Sequence, residues 1–280
     1  MTKTAQKTVL LTITEMYDKI FQAEKKVADF ILKNPDLAVN ANVSELANYS
    51  GVSDATVIRL CKHLGYEGYY QMKICLSRDI GRRDLSLKRD GLVNTSMTGY
   101  FKEMAEGIIS AGAAIDESVF YESVELLKNS TMLHLVAAGN TGPLCLYCGY
   151  RLERIGIRCS YNMQPEYYMN HINLAQKTDA VLAVSWSGTS RTVVQALEMA
   201  KEKGMKTMAV TGYRYSPVSR TADYLLLSAS GDGEVNKHSQ YSRLSEMAVL
   251  EVLIQALEHS LAIEKDEITE PEMLLSETKY

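Results

Sequence analysis

No stretch of this chain approaches the roughly 20 consecutive apolar residues that a membrane-spanning helix requires. Residues 1–11 hold lysines but lack the apolar core and small-residue cleavage site of an export signal. A soluble, cytoplasmic protein with no membrane partner is therefore expected. A disulfide framework is missing too: five cysteines, an odd number without an export signal, read as reduced thiols. Cys145 and Cys148 form a CxxC, but no second pair exists to complete a zinc site. At a helix start that spacing can lower a thiol pKa; the alternative is two small, soft side chains packed on a helix after a strand. Neither GxGxxG nor GK[ST] occurs, which excludes a dinucleotide fingerprint and a Walker loop. No metal and no cofactor is expected.

What is present is an ordinary globular composition, 46% hydrophobic and 23% charged, over 280 residues, longer than a usual single domain. The net charge of -4 is unevenly spread. Residues 1–90 carry 14 Lys+Arg against 11 Asp+Glu, whereas residues 91–280 carry 16 against 23. Lys73, Arg78, Arg82, Arg83, Lys88 and Arg89 gather late in the first part, where they suit phosphate contacts. The division expected is an all-α domain over 1–80, a linker and leading helix over 81–114, an α/β domain over 115–262 and a tail over 263–280.

In the first domain, Val27, Phe30 and Ile31 fall at helical spacing before Asn34-Pro35 stops the helix. Ser44 reads as the N-cap of a short helix that Gly51 closes, and Ser53 or Asp54 starts another that ends at Gly65. Ala47 provides a small residue at a close helix crossing, and Val52, Val57 and Leu60 pin the second helix, the spacing of a helix-turn-helix. An apolar residue would be usual where Ser50 stands. The outward face of the second helix offers Ser53, Asp54, Thr56, Arg59, Lys62 and His63 to base edges and phosphates.

Beyond residue 90, short apolar runs alternate with amphipathic helices, the pattern of a parallel sheet covered on both faces. Five strands are expected at 132–138, 158–161, 180–185, 207–211 and 224–227. Helices near 144–155, 168–177 and 190–203 separate them, two more at 99–115 and 117–129 precede them, and a long one at 241–261 follows. Ligands in such sheets bind beyond the carboxyl ends of the strands. There the chain places Ala137-Ala138-Gly139-Asn140-Thr141-Gly142-Pro143 and Ser185-Trp186-Ser187-Gly188-Thr189-Ser190. Free backbone N–H groups at a helix start, with several hydroxyls, make a phosphate cradle that needs no lysine.

Residues 24–35, Leu46-Ala47, 51–62 and 64–69 resemble the RpiR family of bacterial regulators. That resemblance implies that the first domain binds operator DNA, with Ser53, Thr56, Arg59 and Lys62 toward it. Residues 115–260 resemble the sugar isomerase (SIS) domain, above all in 185–190 after Asp179, in 151–157 and in Ser242-Arg243-Leu244. The first loop departs from the usual GxGxS through Ala137 and Thr141, and Ser190 stands where threonine is usual; a hydroxyl survives each change. The resemblance implies that Thr141, Ser185, Ser187 and Ser190 contact the phosphate of a sugar phosphate, within loops that include Gly139, Asn140, Gly188 and Thr189, and that Glu234 accepts sugar hydroxyls.

SIS domains also occur in aldose-ketose isomerases, which need an acid-base group; Glu234, His238 and His171, the last placed at a helix start, are the nominal candidates. A DNA-binding head favours sensing over turnover. The expected protein is a non-enzymatic regulator that acts as a homodimer or homotetramer on near-palindromic DNA; the last helix, with Leu244, Met247, Ala248, Leu250, Val252, Leu253 and Leu257, is apolar on more than one face, so that one side can bury in its own domain and another against a partner.

Overall fold

The computed structural model describes residues 8–89, 96–229 and 243–262. The chain passes from one compact unit to a second between Glu103 and Met104.

The first unit is helical. Helix α1 (Val9–Met16) is capped by Thr8, whose hydroxyl accepts from the Leu11 N–H. Helix α2 (Gln22–Lys33) buries Val27, Ala28 and Ile31. Pro35 does not open a loop, as the sequence suggested. It begins helix α3 (Pro35–Asn40) at once, because a proline lacks only an N–H that a first helical turn leaves unbonded anyway. Helix α4 (Val43–Tyr49) is capped by Asn42 rather than Ser44: Asn42 Oδ1 accepts from the Glu45 N–H at 2.9 Å, and Glu45 Oε2 accepts from the Asn42 N–H at 3.2 Å. Ser44 lies inside the helix and donates to Asp54 Oδ2 at 2.6 Å.

Gly51, at φ 62°, turns the chain where an L side chain would be strained. Helix α5 (Asp54–His63) follows, and α4 and α5 pack on α2. Helix α6 (Tyr69–Arg89) closes the unit, with Met72 and Leu76 buried beside Cys61, Leu46 and Val57 in one core. Lys73, expected at phosphates, is engaged within the fold: its ammonium donates to Asn40 O at 3.2 Å and Ala41 O at 2.7 Å, capping the end of α3. The side chains of Arg82, Arg83, Lys88 and Arg89 lie outside the described residues.

Helix α7 (Met97–Ala114) carries the chain into the second unit, where α8 (Glu117–Asn129), capped by Asp116, leads to the sheet. Its elements are β1 (Leu133–Ala137), α9 (Gly142–Arg154), β2 (Cys159–Tyr161), α10 (Pro165–Leu174), β3 (Ala180–Val184), α11 (Arg191–Glu202), β4 (Lys206–Thr211), α12 (Pro217–Thr221), β5 (Tyr224–Leu227) and α13 (Leu244–Ala262), and they alternate as the sequence suggests except for the short α12, which the sequence reading did not place. Helix α10 starts three residues before the expected Tyr168 because Pro165 suits a first turn.

All pairings are parallel, in the order β2-β1-β3-β4-β5. β1 and β3 are buried along their whole length, which explains their continuous apolar runs. Period-two alternation sends Leu133, Leu135, Leu182, Val184 and Val210 to one core with α8, α9 and α13, and Val136, Val181, Ala183 and Ala209 to another with α10 and α11. Each fully buried leucine in these layers contributes about 1.5–3 kcal/mol. Among the described residues, no helix is long and apolar enough to cross a membrane.

Candidate functional site

In the first unit the surface of α5 is the candidate reading face. Positions 57, 60, 61 and 64 face the core, so the exposed stripe on the opposite side is Ala55, Ile58, Arg59 and Lys62. Ser53 is exposed at the helix start, and Asp54 is half-buried and bonded to Ser44. Thr56 does not face outward as expected: it is buried, its hydroxyl 3.0 Å from Ser53 Oγ and accepting from Arg59 Nη2 at 3.1 Å. One hundred degrees per residue carries position 56 to the flank of the core, where its use is to steady Arg59. His63 is exposed at the far end of the helix and ties back to α2, with Nδ1 2.9 Å from Glu24 Oε2 and its ring 5.5 Å from that of Phe21. Ala55 and Ile58 were legible from the same spacing as Arg59 and Lys62 but offer no polar group, which is why a search for hydrogen-bonding residues passed over them.

The electrostatics behind this face are unusual. Burial pushes the Glu45 carboxyl up to about 7, opposed by the Asn42 N–H and Lys73. Burial also pushes the Lys73 ammonium down to about 8, with Glu45 opposing.

The second candidate site lies at the carboxyl end of the sheet. In this strand order the direction of progression reverses between β1 and β3, and the chain leaves those two strands for helices on opposite faces, the arrangement that forms a ligand-binding crevice in sheets of this kind. Both hydroxyl-rich loops border that crevice. After β1, Gly139 and Asn140 are exposed, and Thr141 is buried, donating between Ala138 O and Val184 O, each at 3.0 Å. Thr141 thus ties the first loop to the end of β3.

After β3, Ser185 is buried with its hydroxyl 3.4 Å from Ser190 Oγ, and Ser187 lies 2.8 Å from Thr189 Oγ1 while accepting from the Thr189 N–H at 3.3 Å. Ser190 is the N-cap residue of α11 but makes no side-chain capping bond, so its hydroxyl is not committed to the helix amides. Gly188 has φ +63°, donates its N–H to Ser185 O, and accepts from the Val218 N–H at 3.0 Å. A Cβ there would lie 2.1 Å from Ser216 Oγ. Only glycine lets the loop lie this close to the start of α12.

The first turns of α9 and α11 open into these loops; in α9 Gly142 donates to Gly139 O and Pro143 has no N–H, and in α11 Val193 donates to Ser190 O, so the amides of Arg191 and Thr192 at the start of α11 are the ones placed to hold an anion. Among the described residues, no group of three or more His, Cys, Asp or Glu is arranged to hold a metal ion. Burial pushes Cys145 up to about 12 and Cys148 well above its ordinary value, the reverse of what a redox CxxC needs. The pair is core packing.

His171 is near the end of α10, not at a helix start, and is exposed. Its ring is 6.3 Å from that of His134, which is buried near the start of β1 with Nδ1 2.7 Å from Ser160 Oγ and Nε2 3.5 Å from Asp179 Oδ2. That cluster sits at the amino end of the strands, away from the crevice. Glu234 and His238 lie outside the described residues. Sequence reasoning singled out Trp186 and Arg243 in separate segments but missed that they meet at the crevice end of the sheet, 57 residues apart in the chain, with Glu246 three residues beyond Arg243.

Residues 7–83 match the helix-turn-helix domain of the rpiR family, and residues 126–256 match the SIS domain. Over 249 residues the chain is 29% identical to the helix-turn-helix-type transcriptional regulator YbbH of Bacillus subtilis, covering 87% of this chain and 88% of that protein. The transcriptional regulator RpiR of Escherichia coli is 22% identical over 232 residues, 81% of this chain and 78% of its own length. Among solved structures, the Vibrio vulnificus NanR protein complexed with ManNAc-6P superposes with a TM-score of 0.79 at 21% identity, covering 97% of this chain and 98% of that one.

Proposed function

Because the chain belongs to the rpiR family, as a helix-turn-helix transcriptional regulator with a SIS domain behind its DNA-binding domain, we propose that it senses a phosphorylated sugar at the β1/β3 crevice and that occupancy there changes its grip on operator DNA. The observation that carries this reading is the convergence of two hydroxyl-bearing loops on one crevice, each opening the first turn of a helix. A phosphate seated there would accept from the helix amides and from Ser185, Ser187 and Ser190, with Gly139, Asn140, Gly188 and Thr189 forming the walls. Thr141 serves by holding the two loops together. The NanR structure, similar in fold, is that of the protein complexed with ManNAc-6P. Glu234 is proposed for the sugar hydroxyls.

On the DNA side, Arg59 and Lys62 on the exposed face of α5 would meet base edge and phosphate, Ser53 the backbone at the helix start, and Thr56 would hold Arg59 in position. One such head reads one half-site, so a homodimer or homotetramer is proposed, with the exposed Leu244 and Val252 of α13 available to a second copy. Turnover in place of sensing finds no support in His171, which stands at the wrong end of the sheet.

The decisive experiment titrates sugar phosphates into the wild type and Ser187→Ala, each with and without operator DNA. Loss of one charge-assisted hydrogen bond costs on the order of 1.5–3 kcal/mol, some tenfold or more in affinity. Linkage then requires operator to alter sugar affinity by the same factor that sugar alters operator affinity. Equal sugar affinity in all four titrations removes both the site and the coupling.

A further inference from the structure

Trp186 is the single tryptophan of the chain and stands in the middle of the β3–α11 loop. Its carbonyl accepts from the Gly212 N–H at 3.0 Å and from Thr211 Oγ1 at 3.1 Å, which draws the residue toward the end of β4. The six-membered ring lies so close to Gly212 that a Cβ there would come within 2.6 Å of it, and the Tyr213 ring meets it edge-on with centroids 5.6 Å apart. The Arg243 guanidinium lies over the indole, 4.6 Å from the ring centroid. Arg243 in turn holds Glu246 in the first turn of α13, Nη1 to Oε1 at 2.6 Å, and Glu246 is fully buried.

Burying a carboxylate and most of a guanidinium costs free energy that a pair of apolar side chains would not, so this arrangement is weak as a device for stability alone. Its placement suggests another use. Ser185 and Ser187, on either side of Trp186, are two of the three serines assigned to the anion, and a tryptophan fixed on three sides sets the backbone from which they project.

We propose that Arg243 is a positioning residue for the 185–190 loop: anchored by Glu246, it holds the Trp186 ring against Gly212, so that the flanking serines and amides are set for a phosphate before one arrives. This rests on the reading of the crevice as an anion site. Arg243 acts through Trp186 and is assigned no contact with the anion itself.

The lone indole makes the proposal measurable in the full-length protein. Arg243→Lys keeps a cation beside Glu246 but removes the planar face that lies on the ring. Its ligand-free tryptophan emission is expected to shift to the red, and its affinity for inorganic phosphate, measured by calorimetry at fixed ionic strength, to fall by roughly three- to thirtyfold, the range of a partly to fully desolvated cation–π contact. The double variant R243Q/E246Q removes both charges without leaving one buried alone, and it should show the same two changes if Arg243→Lys folds poorly.

An affinity loss with unchanged emission would mean that Arg243 touches the anion directly, which overturns a positioning role. Altered emission with unchanged affinity would make the stack mere packing, and overturns it equally. Absence of phosphate binding by the wild type, with Ser187→Ala indistinguishable from it, would remove the anion site and the proposal together. That outcome is separable from the other two because it appears without touching Arg243.

Discussion

Gly139 and Gly188 provide a controlled comparison, because they share a positive φ and differ in surroundings. Their φ angles are 61° and 63°. A Cβ on Gly139 would meet nothing within 4 Å, whereas one on Gly188 would lie 2.1 Å from Ser216 Oγ, 2.4 Å from Ser216 Cβ and 3.2 Å from Thr211 Oγ1. Gly139→Ala should therefore cost only the left-handed backbone penalty, about 1–2 kcal/mol. Gly188→Ala adds displacement of a packed neighbour, about 1–3 kcal/mol more, because Ser216 cannot yield freely: its hydroxyl accepts from the Ser219 N–H at 3.1 Å and caps α12.

Urea unfolding followed by Trp186 fluorescence reads the α/β domain alone, since the DNA-binding domain has no tryptophan. A third variant closes the cycle. Ser216→Gly removes both clashing atoms and, as an N-cap substitution, costs only a few tenths of a kcal/mol. In combination with Gly188→Ala it should recover most of the added penalty. Equal losses for the two single alanine variants, or strict additivity in the cycle, would refute the claim that close approach rather than φ alone demands glycine at 188.

Two further outcomes are expected. Arg59→Ala should weaken operator binding by roughly 1–3 kcal/mol and relax sequence preference, while Lys62→Ala should weaken all DNA alike and lower the salt slope by about one; gel-shift titrations at several salt concentrations distinguish the two. Glu45 predicts a pH dependence: its folded pKa is raised to about 7, so its contribution is present below the ordinary carboxylate range and is lost as pH rises through about 7. At about 1.4 kcal/mol per unit, the stability advantage of Glu45→Gln over the wild type should grow by at most ~3 kcal/mol between pH 5 and pH 7.5. Lys73, held down to about 8, remains mostly charged across that window. A difference independent of pH in parallel denaturation curves would show that Glu45 is ionised throughout.

How much of this was legible beforehand depends on the range of the interaction. All five strands and the longer helices around them followed from local periodicity, whereas the five-residue α12 is too short to show a period; Gly51 and Gly65 marked helix ends because the left-handed turn is a property of one residue. Caps were less secure. Asn42 and Ser44 are both good capping residues two positions apart, and the choice fell to Asn42 because Ser44 is drawn to Asp54 on the next helix. Thr56 was misplaced for a related reason: its type suits DNA, but its angular position on α5 puts it against the core.

The sequence by itself determined the element types, the apolar faces and the two hydroxyl-rich loops, since each rests on residues within a few positions of one another. Only the tertiary structure decided that β1 and β3 lie side by side, which brings the loops at 139–141 and 185–190 to one crevice while leaving His171 at the opposite end of the sheet. It likewise set Arg243 on Trp186. Strand order and long-range contacts are chosen by how whole faces bury against one another, and no local pattern in the chain encodes which of several such faces will meet.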